Sequence, residues 1–131
     1  MSAGLLDTSV VIDWSDPAVL AVLPDEVAVC AITLAELAAG PHLTADPAER
    51  ARRQARLEEA AALFEPLAVD GAAARAYGRV VAAVAAGRRT PRRRVADLLI
   101  AAVALANELP LYTRNARDFE DLQELLEVVA V

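Results

Sequence analysis

Lysine is absent from this chain of 131 residues, and cysteine and histidine occur once each. With a single thiol, Cys30, no disulfide framework can form; its place in an apolar, strand-like run reads as a small buried hydrophobe in a reducing cytoplasm. With a single imidazole, no second His or Cys stands at the spacing a zinc site needs, so His42 reads as a solvated loop residue. Long apolar runs are missing too. Although 56% of the residues are hydrophobic, no uninterrupted stretch reaches the roughly 18 residues of a membrane span. The N-terminus lacks both the basic region and the small-residue cleavage site of a signal peptide. No internal repeat or low-complexity linker divides the chain, so residues 1–131 read as one domain, long enough to bury a core without staples. The formal net charge of −6 excludes a surface that attracts nucleic acid everywhere, while leaving room for a local basic groove. All 13 positive residues are arginine, a bias expected of genomic base composition, and arginine's planar fork suits phosphate and carboxylate.

What is present is an alternation of strand and helix patterns. Gly4 to Asp7 is a short apolar run ending in an acid, and Thr8 or Ser9 then starts a helix to Trp14. This is the pattern of a buried strand that delivers Asp7 to the carboxyl edge of a sheet, where open α/β sheets bind ligands. Asp7 serves equally well as an ordinary helix cap. Pro17 to Leu23 reads as a second short helix, and Glu26 to Ile32 as a fully buried strand. Thr33 to Ala39 and Asp46 to Leu63 form a helical arm, with Leu34, Leu37, Leu57 and Leu63 offering apolar contact. Glu65 to Val69 reads as a third strand, and Asp70 caps a helix to Ala86. After the basic stretch Gly87 to Arg94, Val95 to Ala106 is apolar almost all round, which describes a central buried helix. Leu111 to Thr113 is a short strand, Asn115 to Leu126 a polar helix or two, and Val128 to Val131 an edge strand. The expectation is an α/β fold, a parallel sheet of four to five strands wrapped by helices on both faces.

Most of the 19 acids belong to solvated surface. Asp7, Glu36, Asp97 and Asp118 stand apart because each lies at a strand end or in the helix that follows. Each also has a plainer reading. Thr33-Leu34-Ala35-Glu36 matches a capping box, Asp97 could rest on a helix dipole or an arginine, and Asp118 could pair with Arg114 one helical turn earlier. If the four converge, two like charges ~4 Å apart repel by about 4 kcal/mol at an effective dielectric constant near 20, so the cluster needs a cation or raised pKa values. Ligands that are all oxygens favour Mg2+ or Mn2+, and such sites perform metal-assisted phosphodiester cleavage.

Leu5-Leu6-Asp7-Thr8-Ser9, Thr33-Leu34-Ala35-Glu36-Leu37, Val95-Ala96-Asp97-Leu98-Leu99 and Tyr112-Thr113-Arg114-Asn115-Ala116-Arg117-Asp118-Phe119, taken together and in order, resemble the PIN-domain family. Within it they resemble the VapC-type toxins of bacterial toxin–antitoxin systems. The resemblance implies a three-layer α/β/α fold and a Mg2+-dependent ribonuclease, with Mn2+ as the other metal. It also implies an RNA substrate, a VapB-type antitoxin and a homodimer, with a higher oligomer when antitoxin is bound. Asp7, Glu36 and Asp97 would be its metal-binding acids. Asn115 stands where many such domains carry an acid, and Asp118 follows three residues later, so either could fill the fourth position. Hydroxyls of Thr8, Ser9 and Thr113 could fix carboxylate orientation, and Asn115 could orient a water. Arg88, Arg89, Arg92, Arg93 and Arg94, just before the helix bearing Asp97, and Arg114 are candidates for the RNA backbone. A haloacid-dehalogenase phosphatase would want a second Asp where Ser9 stands, and a response-regulator receiver would want a lysine. The remaining alternative is a catalytically idle PIN-like module that binds RNA or protein.

Overall fold

The structure, a computed structural model, describes residues 2–87 and 89–131, without the side chains of Arg92 and Arg93. Four strands, β1 (Ala3–Leu6), β2 (Glu26–Ala28), β3 (Leu111–Thr113) and β4 (Val128–Ala130), form one sheet in the order β2-β1-β3-β4. Every pairing is parallel. Around it lie α1 (Thr8–Ile12), α2 (Pro17–Leu20), α3 (Ala31–Ala39), α4 (Pro47–Leu63), α5 (Gly71–Ala86) and α6 (Val95–Ala106), with 3-10 turns at Gly40–Leu43, Pro91–Arg94 and Ala116–Leu122. Among the described residues no helix is long and apolar enough to cross a membrane.

Alternation along β1 sorts the core into two layers. Leu5 packs with α5 and α6 residues such as Val80, Val84 and Ile100, while Leu6 packs on the other face with Val10, Val19, Val29 and Leu37. The expected α/β/α layering is therefore present. Gly4 makes room within β1, because a Cβ there would lie 2.4 Å from the Tyr112 ring. Helix α6, whose residues from Ile100 to Ala104 are all fully buried, is the central helix the sequence implies. It ends as Glu108 turns left-handed at φ 55° and Leu109 N–H donates to Ala104 O at 2.9 Å. Cys30 is a buried free thiol, held above its ordinary pKa chiefly by that burial, and His42 is exposed.

Four expectations need correction. The segment 65–69 makes only a single bridge, Leu67 to Cys30, because Pro66 has no N–H to extend a ladder. The second strand stops at Ala28 and is only partly buried, since it lies at the sheet's edge. The segment after Asn115 is a 3-10 helix over Ala116–Leu122. In the helical arm, Leu37 and Leu57 belong to the second core cluster, whereas Leu63 is exposed. Trp14 packs its ring 5.2 Å from that of Phe64 beside the arm.

Candidate metal centre

From β1 the chain continues to α1 on one side of the sheet, and β3 joins β1 from a much later part of the sequence. The strand order thus reverses between β1 and β3, and the carboxyl ends of these two strands border a crevice. Asp7 sits there, only 4% exposed. It is indeed the N-cap of α1, with Oδ1 accepting from Val10 N–H at 3.2 Å and from Ser9 Oγ at 2.5 Å. Capping uses only one of its oxygens. Oδ2 accepts from Thr113 Oγ1 at 2.5 Å, across the reversal point. Ser9 Oγ in turn accepts from Arg114 N–H, and Thr113 Oγ1 from Asn115 N–H, both at 3.0 Å. Two hydroxyls thereby tie the loop after β3 to both oxygens of one carboxylate.

Glu36 reaches the same edge from α3. This helix starts at Ala31 with Cys30 as its cap residue, so Thr33 lies inside it and the capping box does not form. Thr33 and Glu36, three residues apart, share a helical face. Thr8 Oγ1 is 2.6 Å from Glu36 Oε1 and 3.1 Å from Thr33 Oγ1. A hydroxyl has one proton; Thr8 gives it to the charged oxygen and accepts from Thr33. Thr33 is fully buried. Its place in this relay was hidden in the sequence by its resemblance to a helix cap, and the two-residue-earlier helix start decides between the two.

Asp97 stands in the first turn of α6. Burial pushes its carboxyl above the ordinary carboxylate value; Arg94 pulls it down, and the charges of Glu36, Asp7 and Asp118 push it further up. The other three acids singled out in the sequence therefore all bear on the Asp97 carboxyl. Arg94 lies with its guanidinium carbon 5.3 Å from the centre of the Phe119 ring, a cation–π contact, and its Nη2 is buried without a hydrogen-bond partner among the described residues. Asp118 is exposed in the 3-10 turn, its N–H donating to Asn115 O at 2.9 Å. The surface pairing of Asp118 with Arg114 does not occur: Arg114 lies 3.6 Å from Asp13 instead.

The donors at this edge are hydroxyls and carboxylates, chemistry that suits a hard divalent cation. Among the described residues no three acids stand close enough together to hold one ion between them.

Two arginines of the basic stretch, Arg89 and Arg94, are committed elsewhere. Arg89 forms an ion pair with Glu120 and places Nε 3.0 Å from Asp121 Oδ2, without hydrogen-bond alignment. Gly87 allows this closure, because a Cβ there would lie 2.5 Å from Asp121. Arg94 is turned inward, while Arg88 and the side chains of Arg92 and Arg93 lie outside the described residues. A cleft of about 370 Å3 is lined by Thr8 and Glu36 together with Arg53 and Arg56 of α4.

The sequence matches the PIN domain family over residues 4–125. It is 44% identical over 117 residues to ribonuclease VapC5 of Mycobacterium tuberculosis, covering 87% of this chain and 84% of that protein. Among solved structures, a member of the VapBC family of toxin–antitoxin systems, VapBC-5 from Mycobacterium tuberculosis, aligns over 100% of both chains with a TM-score of 0.82 and 39% identity. FitAcB from Neisseria gonorrhoeae aligns over 95% of each chain with a TM-score of 0.76 and 28% identity. With the parallel sheet, the acids at its reversal point and these likenesses together, the chain belongs to the PIN-domain family.

Proposed function

We propose that this protein is a divalent-metal-dependent endoribonuclease, the toxin of a VapBC-type pair, which hydrolyses RNA phosphodiester bonds at the acidic edge of its sheet. The observation that carries this reading is the buried Asp7 carboxylate at the reversal point of the sheet, with one oxygen held by Ser9 and the other by Thr113, and with Glu36 brought to the same edge through Thr8. The likeness to a named ribonuclease over most of both chains supports the reaction class, and the likeness to a VapBC structure supports a cognate antitoxin as partner. Action on RNA implies a cytoplasmic setting.

Asp7, Asp97 and Glu36 would hold the ion, with Asp118 as the fourth acid; Mg2+ is the ion that oxygen ligands of this kind favour, with Mn2+ next. When bound, such an ion supplies positive charge to a scissile phosphate and lowers the pKa of water near it. The chain's own residues do the positioning. Ser9 and Thr113 hold the Asp7 carboxylate in one orientation, which removes a reorganisation cost from each turnover. Thr8 engages Oε1 of Glu36, leaving Oε2 to take the proton from the attacking water. Asn115, whose N–H is fixed on Thr113, presents a neutral amide that can orient the substrate or a water.

The test is cleavage of single-stranded RNA with and without Mg2+. Asp7→Asn keeps the shape of the side chain and a capping oxygen but removes the charge. It should lose Mg2+-dependent cleavage while remaining folded by circular dichroism. Near-wild-type cleavage by this variant would overturn the assignment and favour an idle binding module.

A further inference from the structure

Glu49, Arg53 and Arg56 recur every three or four residues along α4, so their side chains share one face. That face borders the cleft of about 370 Å3, a volume within the range of small-ligand pockets. Two of the three side chains are used up in holding the arm together. Arg53 donates from Nε to Glu49 Oε1 at 3.0 Å and from Nη1 to Gly40 O at 2.9 Å. Glu49 also takes two bonds from Arg52, at 3.0 and 2.8 Å, and these hydrogen bonds hold its carboxyl below the ordinary carboxylate value. Its charge is therefore already compensated. Arg56 is different: it is half-buried and lines the cleft, with no ion pair or side-chain hydrogen bond to any of the described residues. Ile12, 41% exposed, and Leu37 line the same cleft and give it apolar surface. Thr8 and Glu36, hydrogen-bonded to each other, line it too.

An unpaired guanidinium in a cleft that also carries apolar surface and the Glu36 carboxylate matches one nucleotide unit: phosphate on the fork, base on the aliphatic surface. We propose that this cleft is a subsite for the RNA nucleotide next to the scissile bond, with Arg56 binding its phosphodiester. The proposal rests on the ribonuclease reading above. It adds a phosphate contact on the helical arm to the arginines before α6, of which Arg89 and Arg94 are otherwise engaged. Arg56 is a positioning residue: it fixes the strand so that the next phosphate meets the acids.

The experiment measures binding of a short single-stranded RNA, in chelator and over a series of salt concentrations, for the full chain and for Arg56→Ala, Arg56→Lys and Arg75→Ala. One phosphate contact on a single strand contributes about 0.7 to the slope of log affinity against log salt. Arg56→Ala should lower the slope by about that amount and raise Kd roughly tenfold, as expected for loss of one charge-assisted contact. Arg56→Lys should restore the slope while recovering only part of the affinity, because an ammonium keeps the charge and loses the fork. Arg75→Ala, which removes the same charge from α5, should leave the slope unchanged. In Mg2+, Arg56→Ala should raise KM with little change in kcat. A wild-type slope for Arg56→Ala, in a preparation whose wild-type protein cleaves RNA, overturns the subsite and leaves the ribonuclease reading standing. So does an Arg56→Ala variant that loses antitoxin binding alone, which would assign the cleft to the protein partner. A wild-type protein that neither binds nor cleaves RNA overturns both.

Discussion

Replacing Thr113 by valine isolates the hydroxyl that spans the reversal point of the sheet. Valine matches threonine in shape and suits a strand, so no cavity opens and β3 keeps its backbone bonds. What is lost is the donor 2.5 Å from Asp7 Oδ2 and the acceptor of the Asn115 N–H. Asn115 is exposed and its N–H can turn to water. Asp7 is 4% exposed and cannot. A hydrogen bond to a charged group contributes about 1.5–3 kcal/mol, and leaving the carboxylate oxygen unpaired incurs its desolvation cost in full. We therefore expect Thr113→Val to lose about 2 kcal/mol in the absence of metal. For a domain between the size classes usually tabulated, on the order of 4 °C per kcal/mol makes this a fall of about 8 °C in Tm. Urea unfolding should show a lower midpoint at unchanged m-value. A double-mutant cycle with Asp7→Asn should give a coupling above about 1 kcal/mol, since the two groups touch. Loss of less than about 0.5 kcal/mol, or additivity in the cycle, would refute the argument that Thr113 holds the carboxylate.

Asp97→Asn should abolish cleavage yet raise stability in chelator at neutral pH. Burial holds the folded-state pKa of Asp97 above its ordinary value of 3.8, so the folded protein keeps a proton that the unfolded chain has released, and stability falls as pH rises through that interval. The advantage of the variant should therefore shrink as pH is lowered toward 3.8 and vanish below it; thermal melts across that range check the sign. Asp118→Asn should shift the Mg2+ titration of cleavage to higher concentration with a smaller loss of rate than Asp7→Asn or Asp97→Asn, because Asp118 is exposed and not held in place. Asn115→Ala should lower turnover with less effect on that titration; an unshifted curve and full rate for Asp118→Asn would reduce the site to three acids.

The sequence by itself determined the layers. Alternating apolar runs and caps are local signals, so β1, the Asp46, Asp70 and Pro17 helix starts, and the all-round apolar α6 were legible where the structure has them. It also marked the four acids, because a carboxylate beside an apolar run is costly unless something compensates it. Tertiary structure decided the rest. Pairing of β1 with β3 joins residues more than a hundred positions apart, and only then does Thr113 face Asp7. Helix α3 starts at Ala31, directly after Cys30 bridges to Leu67, so Thr33 falls inside the helix rather than at its cap. The arginine run looked like one basic surface because residues adjacent in sequence share a charge; folding separates them, sending Arg89 to Glu120 and Asp121 and Arg94 to Phe119. Which charge is neutralised and which remains available is a matter of neighbours in space, as the contrast between Arg53 and Arg56 on one helical face shows. Periodicity fixes which face a side chain occupies, and only packing fixes what it meets there.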